Sequence, residues 1–151
     1  MIRYEFRTPT EETVSQLIEL SRLWVEEDCS FGMVVNEECD LAEPLIVALD
    51  GEQIVGYCFG HYYKQEKRTS CIEQGAACFG LDELYVLPKY RSKGIGRELF
   101  RLMEEEIRDK STHLTLTTST KNYHAILKLY VEELGMTFHS AYLIKNLEDR
   151  T

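Results

Sequence analysis

Apolar and polar positions alternate with period two at the start of the chain, Ile2 to Thr8, and predict a first strand. The spacing then changes. Val14, Leu17, Ile18, Ser21, Trp24 and Val25 recur at helical intervals and predict an amphipathic helix. Thr8 is expected to cap it, with Pro9 in the first helical position and Glu11 three residues after the cap. From Glu26 to Glu43 the pattern is irregular and acidic, as in a loop with a short helix. Two apolar runs around Asp50-Gly51 predict a hairpin. A polar loop from Lys64 to Gln74 then leads to a strand from Ala77 to Val86, ended by Pro88. Helical spacing returns with Ile95, Leu99, Leu102, Met103 and Ile107. His113 to Ser119 reads as a strand, Asn122 to Leu134 as a last helix stopped by Gly135, and Met136 to Leu147 as one or two closing strands. This order predicts an α/β (α+β) fold with a mixed sheet.

Charge and composition narrow the function. The 151 residues suit one domain, residues 1–151, and a net charge of −9 disfavours a nucleic-acid partner while suiting a cationic small molecule. Five cysteines, odd in number and without a CxxC pair, read as reduced thiols, and the four scattered histidines show no metal spacing. The N-terminus lacks the apolar run of a secretory signal, and no apolar stretch of about 18 residues is present to span a membrane. The expectation is a cytosolic protein with no membrane and no metal.

The segment Leu84 to Phe100, LYVLPKYRSKGIGRELF, carries the most specific chemistry. A strand ends at a proline, a basic loop follows, and Gly94 and Gly96 stand where a helix begins. The first turn of a helix has unpaired N–H groups and the positive end of the helix dipole, and glycines let a phosphate touch its backbone. Arg91, Lys93 and Arg97 add charge and Ser92 a hydroxyl. A P-loop would need a Gly-Lys-Ser/Thr ending, which is absent. A dinucleotide fingerprint would need a third glycine, where Leu99 stands.

Arg91-Ser92-Lys93-Gly94-Ile95-Gly96 resembles the Arg/Gln-x-x-Gly-x-Gly/Ala acetyl-CoA pyrophosphate loop of the GNAT superfamily of N-acetyltransferases, small-amine and aminoglycoside acetyltransferases among them. The resemblance covers most of the chain. It implies a mixed sheet of six to seven strands flanked by about four helices, with two strands splayed to admit the pantetheine arm. It implies acetyl-CoA held by Arg91 to Arg97, the backbone of Leu84, Tyr85 and Val86, and the helix opening at Asn122. The Val86 N–H would meet the thioester oxygen. The family's helix Asn-x-x-Ala-x-x-Leu-Tyr-x-x-x-Gly-Phe is matched by Asn122, Ala125, Leu129-Tyr130 and Gly135-Met136, which makes Tyr130 the implied general acid. Here Asn122 to Tyr130, and Tyr130 to Gly135, are each one residue longer than the pattern, and one residue rotates a helical position by about 100°.

A base for the incoming ammonium is expected on the strand ending at Val86, at Asp82 or at Glu83. Strict alternation would set Asp82 on one face with Leu84 and Val86, and Glu83 on the other with Leu81 and Tyr85; a bulge would change this. Glu26, Glu27 and Phe31 fall where relatives build the wall of the acceptor site. The expected activity is direct acetyl transfer from acetyl-CoA to a primary amine of a small cationic molecule. The reading beside it is a non-catalytic acyl-CoA-binding sensor of the same fold. Phe138, Ser140, Tyr142 and Ile144 share one face of the closing pattern and suit pairing across a homodimer.

Overall fold

The computed structural model describes residues 1–148. Five strands form one sheet in the order β1 (Ile2–Phe6), β2 (Leu45–Asp50), β3 (Gln53–Lys64), β4 (Ala77–Val86) and β5 (His113–Thr115). The first four pair antiparallel and β5 joins β4 in parallel. The β2–β3 hairpin turns at Asp50-Gly51 as its sequence demands, with Gly51 at φ +64°. β2 is buried from Leu45 to Leu49, which matches its unbroken apolar run.

Helix α1 (Glu11–Glu27) and helix α2 (Ile95–Ile107) cover opposite faces. Trp24 of α1 stacks on Tyr85 of β4 at 5.0 Å, and Tyr85 pairs with Tyr57 of β3. The next positions along these strands face α2: a Cβ on Gly56 would touch Leu99, and one on Gly96 would touch Leu84 and Val86. The cap of α1 is Thr10 rather than Thr8. Its hydroxyl accepts from the Thr13 N–H, and Pro9 precedes the helix instead of opening it.

Two expectations are corrected. Among the described residues the sheet has five strands where six to seven were expected, and there are three helices of α type where about four were expected. The strand expected from His113 to Ser119 pairs only as far as Thr115, and the closing segment from Thr137 makes no strand pairing among the described residues. Its alternation expresses strand propensity, but a strand forms only against a partner edge. Phe138, Tyr142, Leu143, Ile144 and Leu147 are consequently exposed.

The contact between β3 and β4 is tightest at Gly60. A Cβ there would overlap the Gly80 carbonyl oxygen and the Phe79 ring, and Gly60 faces β4 beside the bulge described below. Gly60→Ala is expected to destabilise the fold by about 1–3 kcal/mol, because neither backbone nor a buried ring yields cheaply. A thermal melt checks this; an unchanged midpoint would show that the strands separate freely at this point.

Candidate active site

A bulge in β4 creates the site. Phe59 pairs with Glu83 and Gly60 with Leu81, so Asp82 is an extra residue without a partner in the ladder. The extra residue reverses part of the predicted parity. Asp82 and Glu83 both turn to the face that β3 presents with Tyr57 and His61, while Leu81 and Leu84 share the other. Asp82 Oδ2 meets His61 Nδ1 at 2.9 Å. Glu83 Oε1 accepts from the Tyr57 hydroxyl at 2.7 Å and from Asn36 Nδ2 at 2.8 Å. The expectation of the two acids on opposite faces is therefore corrected.

Asn36 and Tyr57 were not singled out by the sequence. Asn36 lies in the irregular acidic segment, where only its short polar side chain hinted at a role. It is buried, and its N–H is anchored on Ser21 Oγ of α1 at 3.0 Å. Burial raises the Glu83 pKa above the ordinary carboxylate range, partly offset by the Tyr57 and Asn36 hydrogen bonds, with Asp40 and Asp82 pushing the same way as burial.

That shift fixes a sign. A carboxyl whose folded pKa is raised binds its proton more tightly in the folded state. Its favourable contribution is complete below the ordinary glutamate value of about 4.3 and is lost as pH rises through the folded pKa. Glu83→Gln, which preserves an acceptor for both donors, is therefore expected to raise the melting temperature at pH 7. The gain should vanish toward pH 4. Melts across that range check it, and a variant destabilised at pH 7 would mean that the ionised form is the favoured one.

Beyond Gly80 and Thr115, β4 and the chain after β5 no longer pair. Leu87 N–H bonds Val55 of β3, so alternation turns the N–H and carbonyl of Val86, and those of Leu84, toward this open edge. The Val86 carbonyl accepts from Arg91 Nε at 2.8 Å, which leaves its N–H facing the gap. Tyr85 turns its backbone to Tyr57 and its ring to Trp24.

At the end of β4 the chain turns through Pro88–Tyr90 into the basic loop. Ser92 and Gly94 both have positive φ, +61° and +83°, and a Cβ at Gly94 would meet nothing within 4 Å. The first bond of α2 runs from the Glu98 N–H to the Gly94 carbonyl. The N–H groups of Ile95, Gly96 and Arg97 thus precede any helical partner and open on a glycine-lined, uncrowded turn. Arg91, Ser92, Lys93 and Arg97 are exposed around it, and this set fits a phosphate. Two of the cations have carboxylate partners: Arg91 forms a two-pronged pair with Glu27 (2.7 and 3.0 Å), and Arg97 reaches Glu133 at 3.1 Å. Glu27 also accepts from the Tyr85 hydroxyl. Its carboxylate thus joins α1 to the loop, whereas Glu26 next to it is exposed.

Phe31 lies on a short segment that bridges to the chain after β5, Ser30 facing Thr120. Phe31 N–H bonds the Ser119 carbonyl and Lys121 N–H the Cys29 carbonyl, each at 2.8 Å. Lys121 Nζ sits over the exposed Phe31 ring and pairs with Asp28 at 3.0 Å. Asn122 follows and caps helix α3 (Tyr123–Leu127) without a side-chain hydrogen bond.

Helix α3 continues into a π-helix, Lys128–Glu133, which takes up the added length around Tyr130. Tyr130 is buried, with its ring 5.9 Å from that of Phe100 on α2. Burial is the main cause that pushes its pKa up to about 12, the buried Cys58 adding to it, so the phenol keeps its proton across the neutral range. Tyr130 therefore stands with α2, and the Asp82–Glu83 pair on the α1 face. Among the described residues no group of three or more His, Cys, Asp or Glu side chains is gathered to hold a metal ion. No helix among them is long and apolar enough to cross a membrane.

No curated protein matches the chain. Solved structures do, at identities that speak for the fold alone. A putative acetyl transferase from Pyrococcus furiosus superposes with a TM-score of 0.70 at 16% identity, covering 97% of this chain and 100% of its own. An aminoglycoside acetyltransferase from an uncultured soil metagenomic sample gives 0.69 at 16%, covering 97% and 99%. A predicted acetyltransferase from Clostridium acetobutylicum, solved with acetyl-CoA, gives 0.66 at 17% over 100% of both chains. The family model for the acetyltransferase (GNAT) family matches residues 10–136. With the splayed strands, the glycine turn and the buried tyrosine in place, this chain belongs to the GNAT acetyltransferase family.

Proposed function

We propose that this protein is a cytosolic, single-domain N-acetyltransferase that moves an acetyl group from acetyl-CoA to a primary amine of a small cationic molecule. The observation that carries the reading is the turn at Gly94 to Arg97, an uncrowded helix start with free N–H groups at the end of a strand whose outer edge is unpaired. On this reading the Ile95, Gly96 and Arg97 N–H groups, with Arg91, Ser92 and Lys93, hold the pyrophosphate. Leu84, Tyr85 and Val86 line the pantetheine path, with Asn122 across the gap. Acetyl-CoA supplies the activated thioester. The Val86 N–H is directed to the charge that gathers on the thioester oxygen when the amine attacks. Tyr130 gives its proton to the departing thiolate.

The acceptor enters from the opposite face. Glu83 and Asp82 give that side negative charge for an ammonium, with Glu26, Glu27 and Phe31 at its wall. A net charge of −9 steers cations toward the protein as a whole. Direct attack needs no acyl-enzyme, and Cys78, buried on β4, is remote from the gap's open end. Release of CoA thiol, measured with acetyl-CoA against polyamines, aminoglycosides, lysine-like amines and peptides, tests the reading. Turnover confined to small polycations is expected. Tight acetyl-CoA binding without turnover on any amine would favour the sensor instead.

A further inference from the structure

We infer that His61 removes the proton from the acceptor ammonium and that Asp82 is its positioning residue. The inference rests on the N-acetyltransferase reading above. Asp82 is the one β4 residue that the bulge leaves out of the ladder, and its freed side chain turns to Nδ1 of His61 at 2.9 Å. A carboxylate at this distance fixes Nδ1 as the protonated nitrogen and leaves Nε2 with its lone pair.

The ring is held in place. It lies over Gly80, where a Cβ would come within 2.9 Å of Cε1 and 3.3 Å of Nε2, so only glycine leaves room for it. Tyr63 flanks the ring at 5.6 Å and bonds Thr115 Oγ1 at 2.7 Å, which ties β3 to β5 at the last residue before the strands part. His61, Tyr63, Asp82 and Thr117 line a cavity of about 310 Å³ at that fork. His61 and Asp82 are half-exposed there, at 53% and 40%, so an amine in water reaches both. Glu83, by contrast, is more deeply set, and its Oε1 already accepts two hydrogen bonds.

The step balances without a co-reactant. The N–H bond of the ammonium breaks, its proton passes through water in the cavity to His61 Nε2, and the nitrogen lone pair attacks the thioester carbon. Attack moves the carbonyl π pair onto oxygen. As that pair returns, the C–S bond breaks with its electron pair going to sulfur, and Tyr130 protonates the sulfur. The second proton on the new amide nitrogen leaves through water to restore the Tyr130 phenol. The imidazolium is stabilised by Asp82 and returns its proton to water.

The titratable groups facing His61 are Asp82 and, one residue on, Glu83 from β4, and Tyr63 from its own strand. Strand β5 and the chain after it present the hydroxyls of Thr115 and Thr117. The test compares kcat/KM between pH 6 and 10 for wild type, His61→Gln and Asp82→Asn on an amine that the wild type acetylates. His61→Gln is expected to lose about 100-fold at pH 7, within the range for a general base. The deficit should close as pH approaches the amine's own pKa, where free amine needs no base. Asp82→Asn should lose about tenfold, and imidazole should partly rescue His61→Ala. Acetyl-CoA affinity should be unchanged throughout. An equal loss at every pH, or a wild-type profile in His61→Gln, would overturn the assignment. A wild type that binds acetyl-CoA and acetylates no amine would overturn both it and the function on which it rests.

Discussion

Tyr130→Phe is expected to lower kcat by about 10²–10⁴ while leaving acetyl-CoA affinity and stability nearly unchanged. The ring is buried against Phe100, and phenylalanine fills the same volume, so no cavity arises. The Tyr130 hydroxyl is not among the buried oxygens left without a partner, and its loss orphans nothing in the core. On the proposed mechanism, what is removed is the proton offered to the departing thiolate. With a phenol pKa of about 12, the donor is fully protonated at neutral pH, so the loss should be constant from pH 6 to 9. Steady-state kinetics beside a binding titration check this. Unchanged turnover would take Tyr130 out of the chemistry and leave proton delivery to water.

The double variant Gly94→Val, Gly96→Val is expected to weaken acetyl-CoA binding at least 100-fold. Micromolar binding corresponds to about 8 kcal/mol, and a 100-fold loss removes about a third of it. The fold should survive. A valine at position 94, where φ is +83°, costs about 1–2 kcal/mol, and a Cβ at position 96 makes only ordinary contact with Leu84 and Val86. The branched side chains would instead cover the N–H groups of the first turn of α2. Calorimetry on both proteins, with a melt of the variant, checks this. Retained affinity in a folded variant would show that the turn is only a tight link between strand and helix.

Much of the fold was legible because its signals are local. The Asp50-Gly51 turn, the apolar stripe of α2 and the glycine pair each declare themselves within a few residues, and all stand where the pattern placed them. The faces of Asp82 and Glu83 were not legible. A bulge is a property of two paired strands, and β3 gives no sign that Phe59 and Gly60 face residues two apart on β4. Asn36 was hidden for a similar reason. Its importance comes from Ser21 and Glu83, 15 and 47 residues distant, and no periodicity marks it. Around Tyr130 the extra residues were visible but their fate was not, because a π-helix keeps helical hydrogen bonding while taking in another residue. The closing segment misled for the opposite reason: its alternation is clear, but alternation does not supply a neighbouring edge.

The anion turn carries its own counter-ions. Arg91 pairs with Glu27 and Arg97 with Glu133, so on the proposed reading a phosphate arriving there would exchange with carboxylates instead of meeting bare cations. Affinity at such a site falls less steeply with ionic strength than three free cations would make it. The displaced charges also lie at informative places. Glu27 ends helix α1, which the proposed function sets at the acceptor wall, and Glu133 ends the π-helix that bears Tyr130. On that reading, one ion exchange at the loop would act on both helix ends at once.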